Sequence, residues 1–225
     1  MNAIITVAKK DLLIEWRTRT LLARVVPFAL LVLVMFAVAL DSEPLLLRAA
    51  AGLVWLAMLF STMLVVQRAF DVETADGALD ALLACANPAR VFFGKVVALF
   101  VQLFALGGVL VVGAVVLYGV AIRGDRIVLL VTVVITATCG LAVVGTLYGA
   151  VVANLIGRDS LLPLLALPVL APLLIAASRA TEAAFGSNTI DVANGWAWVG
   201  VLIIYAVVFG SAGALAFAPL TESDA

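Results

Sequence analysis

Histidine is absent from all 225 residues, and charged residues make up only 12% of the chain. The first absence removes the commonest haem and zinc ligand and the commonest general base. It argues against a metal centre or a hydrolytic site built from this chain alone. No G-x-x-x-x-G-K-[ST] loop is present to cradle nucleotide phosphates, and there is no dinucleotide fingerprint. The net charge of −1 provides no basic surface for nucleic acid. The two cysteines are Cys85, in a polar amphipathic stretch, and Cys139, in an apolar run. They are expected in different compartments, which argues against a disulfide between them.

What is present is hydrocarbon. The chain is 66% hydrophobic with a mean hydropathy of +1.27, against about 45–50% apolar residues in soluble domains. Composition therefore places it among polytopic membrane proteins. Apolar runs fall at 25 to 40, 49 to 66, 96 to 122, 127 to 153, 160 to 178 and 196 to 218. At roughly 20 residues per crossing these supply six helices, with no length left for a separate soluble domain. The expected fold is an all-α integral membrane protein, with residues 1–225 as one transmembrane domain.

Residues 1 to 24 precede the first span. Ile4, Ile5, Ala8, Leu12 and Trp16 share one helical face, with Lys9, Lys10 and Arg17 elsewhere and Arg19 following. This pattern predicts an interfacial helix that holds its basic groups near lipid phosphates. Ala37-Val38-Ala39 imitates a signal-peptidase site, but a basic lead of about two dozen residues is too long for a signal peptide, so the segment is read as retained.

The longest charged interval between apolar runs is 67 to 95. Within it Leu79, Leu82, Leu83 and Ala86 recur at helical spacing, while Asp76 and Asp80 lie on another face. The pattern is a short amphipathic helix, with Gly77 near its start and Asn87-Pro88 stopping it. Such a helix is too short to span a bilayer and leans on something else, either the membrane face or a soluble partner. Asp71, Glu73, Asp76 and Asp80 stand against Arg68 alone. Anionic lipid attracts cations, so this balance favours a basic protein groove.

Lysine and arginine set the orientation. With the N-terminus inside, nine lie on the inner side (Lys9, Lys10, Arg17, Arg19, Arg24, Arg68, Arg90, Lys95 and Arg158) and four outside (Arg48, Arg123, Arg126 and Arg179). The asymmetry predicts both termini, and the amphipathic helix, in the cytoplasm. Lys95 is expected at the edge of span three, because a lysine at the bilayer centre costs at least about 2.5 to 3.5 kcal/mol.

Span four carries Gly145, Gly149, Ala153 and Gly157 every fourth residue, and span six repeats the device with Ala206, Gly210, Ala214 and Ala218. Such ridges let helix backbones approach closely in lipid, within one subunit or across an oligomer seam. Pro163, Pro168 and Pro172 fall within span five. Each removes a backbone donor, which predicts a kinked helix facing the protein interior. The polar stretch from Ser178 to Gly195 is expected to include a short outer helix before Trp196 and Trp198 mark the interface. The spans hold no interior carboxylate or lysine, so a proton-driven carrier lacks its relay. If the chain moves a substrate, the energy arrives from elsewhere.

The order of basic interfacial helix, two spans, acidic amphipathic segment and four more spans resembles the permeases of ABC-type exporters. More narrowly, the chain resembles the CcmB family, the haem exporter B subunit of cytochrome c maturation. The matching residues are Lys10-Asp11-Leu12 through Glu15, Arg17 and Arg19, then Arg68 with Gly77-Ala-Leu79-Asp80-Ala-Leu82-Leu83, Pro88, Arg90 and Lys95. Gly145-Thr146-Leu147 and Leu161-Leu-Pro163 through Pro168, Pro172 and Ile175 complete the set. The resemblance implies an inner-membrane permease, not itself an enzyme, in which Asp76, Gly77, Leu79, Asp80, Leu82, Leu83, Pro88 and Arg90 form the coupling helix. The implied partners are two ATPase subunits that hold the ATP, a second copy of this subunit, a haem-handling membrane protein and a haem chaperone. No cofactor is implied for this chain alone, with haem as cargo within the complex. The alternatives are a permease for another apolar cargo, such as a lipid, drug or glycan carrier, and a non-transporting membrane scaffold.

Overall fold

Six apolar helices, each long enough to cross a bilayer, account for the mean hydropathy. The computed structural model describes residues 3–40, 42–75, 87–153, 158–186 and 191–221. An N-terminal helix α1 (Ala3–Thr18) leads through a π turn (Leu21–Val25) into α2 (Val26–Ala39). There follow α3 (Glu43–Ala75), α4 (Pro88–Tyr118), a single 3-10 turn (Gly124–Arg126), α5 (Ile127–Ala153), α6 (Arg158–Phe185) and α7 (Val192–Thr221). Six crossings, α2 to α7, return the chain to the side from which it started.

The ends of these helices follow from local chemistry. Glu43 and Pro44 open α3, where a carboxylate meets the positive helix end and a missing N–H costs nothing. The same logic opens α4, where the Asn87 side chain accepts a hydrogen bond from the Ala89 N–H at 3.0 Å and Pro88 takes the first position. Asn87-Pro88 thus begins a helix, a role not assigned to it from the sequence. Gly119, at φ +68°, ends α4 at Tyr118 rather than at residue 122. The α5 boundaries coincide with the predicted 127 to 153.

Spans α3 and α6 run past the ends of their apolar runs into polar sequence. With 33 residues, α3 is about 50 Å long, so it outruns a hydrocarbon core of about 30 Å. Residues 67 to 75, expected as the start of a connecting segment, are its last turns. The polar residues Ser178 to Thr181 likewise continue α6 as far as Phe185, where a separate outer helix was expected. Gly186 then takes φ +75°, and the Arg126 guanidinium covers it, donating to the Ala183 carbonyl at 3.0 Å. A cation over these terminal carbonyls explains why a helix with so polar an end holds its last turn.

The core sits among α3, α4 and α5, with α6 and α7 packed on one side and α2 on the other. Gly145 and Gly149 meet α3 within this subunit. A methyl group on Gly145 would stand 2.7 Å from Val66 Cγ2, and one on Gly149 would overlap the Phe70 ring. Ala153 ends α5, with its side chain outside the described set, and Gly157 lies outside the described residues. On α7, Gly213, rather than the 206/210/214 ridge, makes the tight approach, against Phe92 of α4.

Buried hydroxyls are bonded to their own helices, as lipid requires. Ser61 donates to Ala57 O, Thr62 to Met58 O, Thr138 to Val134 O and Thr146 to Ala142 O, each four residues back. Between helices, Trp55 Nε1 donates to Thr181 Oγ1 at 2.8 Å, and the Tyr118 hydroxyl donates to Leu33 O at 3.0 Å. Across all three prolines α6 continues as one helix. The Tyr205 hydroxyl on α7 donates to the Val169 carbonyl, three residues before Pro172. That bond supplies a donor where the proline ring disturbs the helical ladder.

Gly149→Val is expected to destabilise the bundle by about 1–3 kcal/mol, the usual cost of overpacking. Gly108→Ala, where nothing stands within 4 Å, is expected to be neutral or slightly stabilising. Reversible unfolding in mixed micelles, followed by circular dichroism, measures both.

Candidate functional site

The N-terminal face carries most of the charged side chains and the connection between α3 and α4. Asp76, Gly77, Leu79, Asp80, Leu82 and Leu83, together with Cys85, lie outside the described residues. Pro88 and Arg90 are described in the first turn of α4, with Arg90 exposed. What the structure defines is the frame from which that segment emerges.

Lys95 is the centre of the frame. It lies seven residues inside α4 and is 4% exposed, where the sequence placed it at the edge of the span. Its ammonium is 3.9 Å from Asp11 Oδ2 on α1 and 4.5 Å from the centroid of the Phe70 ring on α3. The burial is tolerable because a carboxylate and an aromatic face replace water around the charge. Asp11 also meets Lys10 at 3.3 Å. Phe70 in turn rests on Gly149, so one lysine ties α1, α3 and α4 to the end of α5.

Close packing reinforces the tie. Val7 and Ala8 are the buried residues of α1. A methyl group on Gly94 would stand 2.7 Å from Val7 Cβ and 3.0 Å from the Ile4 carbonyl. The apolar face predicted for α1 is divided, with Ala8 buried and Ile4 and Leu12 half-buried. Ile5 and Trp16 are exposed, and with Leu12, Leu13 and Val97 they line a shallow apolar groove of the kind a lipid surface covers. Lys9, Arg17 and Arg19 are exposed and Lys10 half-buried, the placement expected of groups near phosphates. Missed in the sequence was the second face, Val7, Asp11, Ile14 and Thr18, whose spacing of three and four was there to be read.

The junction between α1 and α2 is strained. Arg19, expected within the interfacial helix, adopts φ +51°, a left-handed conformation that costs a non-glycine residue about 1–3 kcal/mol. Glu15 offsets part of this, as its Oε1 accepts the Leu21 N–H at 2.5 Å and so satisfies an orphan donor of the next helix. Beside this break lies a small cleft of about 50 Å³, walled by α1, the π turn, α3 and Gln102 of α4.

Elsewhere, Pro163, Pro168 and Pro172 occupy α6, far along the chain from this cluster. Cys139 is half-buried and free, lining an apolar recess between α4, α5 and α7. Among the described residues no group of histidine, cysteine, aspartate and glutamate is arranged to hold a metal.

An all-α chain with six helices long and apolar enough to cross a membrane, and with most of its charge on the face that holds the connection between spans two and three, has an architecture consistent with a membrane permease. The model of the CcmB protein family matches residues 2–220. A curated relative, "Heme exporter protein B" of Haemophilus influenzae, is 31% identical over 182 residues, covering 79% of this chain and 80% of the relative. The chain belongs to the CcmB family.

Removing the Asp11 charge isolates the Lys95 junction. Asp11→Asn is expected to cost about 3 kcal/mol, the low end for a broken buried pair because Phe70 still faces the ammonium. Adding Lys95→Met is expected to recover most of that loss, since no buried charge is then left unmatched. Unfolding of the two single variants and the double variant measures the coupling.

Proposed function

We propose that this chain is the permease subunit of an ABC-type complex for haem handling in cytochrome c maturation. It sits in the bacterial inner membrane with both termini in the cytoplasm. In this reading it pairs with a second copy of itself and with two ATPase subunits that bind the ATP. A haem-handling membrane protein and a haem chaperone complete the complex. ATP hydrolysis drives haem export or release of the loaded chaperone, and this subunit passes on the motion.

Family membership supports the haem assignment, as does the name of the Haemophilus influenzae relative. The mechanical assignment rests on one observation, the Lys95 contacts that link α1, α3 and α4. Segment 76–86 joins α3 to α4, and both helices are fastened to each other and to α1 within a few turns of it. A push on that segment therefore moves three helices together instead of bending one loop. Leu79, Leu82 and Leu83 serve as anchors in a groove of the ATPase, and Asp76 and Asp80 face its basic residues. Three buried leucines supply on the order of 5–9 kcal/mol before ordering costs, enough to transmit motion and still release.

The interior of the subunit supports a transmitting role. The buried hydroxyls of Ser61, Thr62, Thr138 and Thr146 are bonded to their own helix carbonyls. They leave little to stabilise a polar cargo within the bundle, so in this reading haem is handled at the seam with a partner.

Leu82→Ala with Leu83→Ala removes about 3 kcal/mol or more of anchoring, a loss of at least about 100-fold in affinity. The ATPase is expected no longer to co-purify with the variant, and c-type cytochromes to fall with it. Undiminished co-purification and normal cytochrome levels would rule out the coupling role.

A further inference from the structure

We infer that the exposed proline face of α6 is a docking surface for a transmembrane helix of another protein, one that presents hydrogen-bond donors at the depth of Pro168. The inference goes beyond the transport reading and does not depend on it.

The prolines were expected to turn this span toward the protein interior, yet Pro168 and Pro172 are exposed. Leu164, at 67% exposure, and Ile175, at 57%, stand in line with them at spacings of three and four. Pro168 has no N–H for the Leu164 carbonyl, and Pro172 has none for the Pro168 carbonyl. The neighbouring Val169 carbonyl is served by the Tyr205 hydroxyl. No side-chain donor among the described residues is bonded to the Leu164 or Pro168 carbonyl. Pro168 lies six residues, about 9 Å, inside the apolar stretch Leu162–Phe185.

Three of the possible neighbours each leave a demand unmet. Lipid tails offer no donor, and a carbonyl without one is costly in hydrocarbon. Water offers donors, but a water-filled path would wet Leu164, Leu165, Leu167 and Ile175, each at least 41% exposed. A second copy meeting this face through its α2, α6 or α7 brings no donor to this depth. Helix α2 has no polar side chain, and on α7 the hydroxyls of Tyr205 and Ser211 are spent on the Val169 and Val208 carbonyls. Trp196 follows Gly195, which packs on Ala183, about 22 Å along α6 from Pro168. A helix that is apolar overall, with hydroxyl, amide or indole donors on one face, meets every demand. The two carbonyls belong to residues four apart, so the donors that match them stand about 6 Å, or one turn, apart. Interhelical hydrogen bonds of this kind hold helices together in lipid, where the hydrophobic effect does not.

The test places a photoreactive benzophenone side chain at Ile175 of the full chain in native membranes, with Val116, 75% exposed on α4, reporting background labelling. Leu167→Thr with Ala171→Thr supplies hydroxyls to the Leu164 and Pro168 carbonyls from within and keeps every proline. Thr136 already bonds in this way to the carbonyls three and four residues before it. Leu167→Val with Ala171→Val has the same shape without the hydroxyls. The expected adduct at Ile175 joins a transmembrane segment of a different protein that bears a serine, threonine, asparagine, glutamine, tyrosine or tryptophan at the depth of Pro168. Its yield is expected to fall at least about fivefold in the threonine pair and to hold in the valine pair. Adducts with a second copy of this chain, or with lipid alone, would overturn the docking face. So would a partner segment without such a donor, or equal yields from the threonine and valine pairs, each with native circular dichroism.

Discussion

A lysine withdrawn from water beneath the N-terminal helix α1 determines how this protein is put together. Lys95 is tolerated at 4% exposure because groups such as Asp11 and the Phe70 ring stand where solvent would otherwise be. Those two residues come from α1 and α3, so the charge cannot be satisfied unless three separate helices meet at one place. Gly94 and Gly149 remove the side chains that would keep them apart. Elsewhere the bundle is held mainly by dispersion between apolar helices, which specifies position weakly in lipid, with hydrogen bonds such as Trp55 to Thr181 and Tyr118 to Leu33 at a few points. The buried charge fixes which face of α1 meets α4, and the frame around the α3–α4 connection follows from it.

Much of the fold was legible in the sequence because the bilayer restricts a chain to few options. Six apolar runs yielded six helices, and the span at 127 to 153 was placed at both ends by a basic turn before it and a polar break after it. The misjudged boundaries have a common cause. Helical hydrogen bonding does not stop where hydropathy falls, so Gln67 to Ala75 continue α3, and Ser178 to Phe185 continue α6 under the Arg126 guanidinium. At the end of α4 the conformation of one residue, Gly119, outweighed the apolar character of residues 120 to 122.

The candidate site was only partly legible. Lys95 was read only through the cost of moving it into lipid, and its partner, Asp11, which lies 84 residues earlier in the chain, was not identified. Periodicity identified a greasy face of α1 on which Ile5 and Trp16 are exposed, and passed over the face of Val7 and Asp11 that meets α4. Arg19 was counted among helical basic residues, yet it carries the break, and nothing in a single sequence marks a left-handed arginine. The ridge at Gly145 and Gly149 was visible, and what it meets, Val66 and Phe70, required the structure.

Together these features describe a subunit with an apolar core and one face on which α1, α3 and α4 are joined at Lys95, and the α3–α4 connection there carries a short acidic, leucine-bearing sequence. That segment serves a cytoplasmic motor only if it lies on the cytoplasmic side. The most direct measurement places a single cysteine at Asp80, in a chain carrying Cys85→Ser and Cys139→Ser, and treats oriented vesicles with a membrane-impermeant maleimide. Labelling in inverted vesicles and none in right-side-out vesicles, with protection when the partner ATPase is bound, is the predicted result. Labelling from the periplasmic side alone would contradict the account.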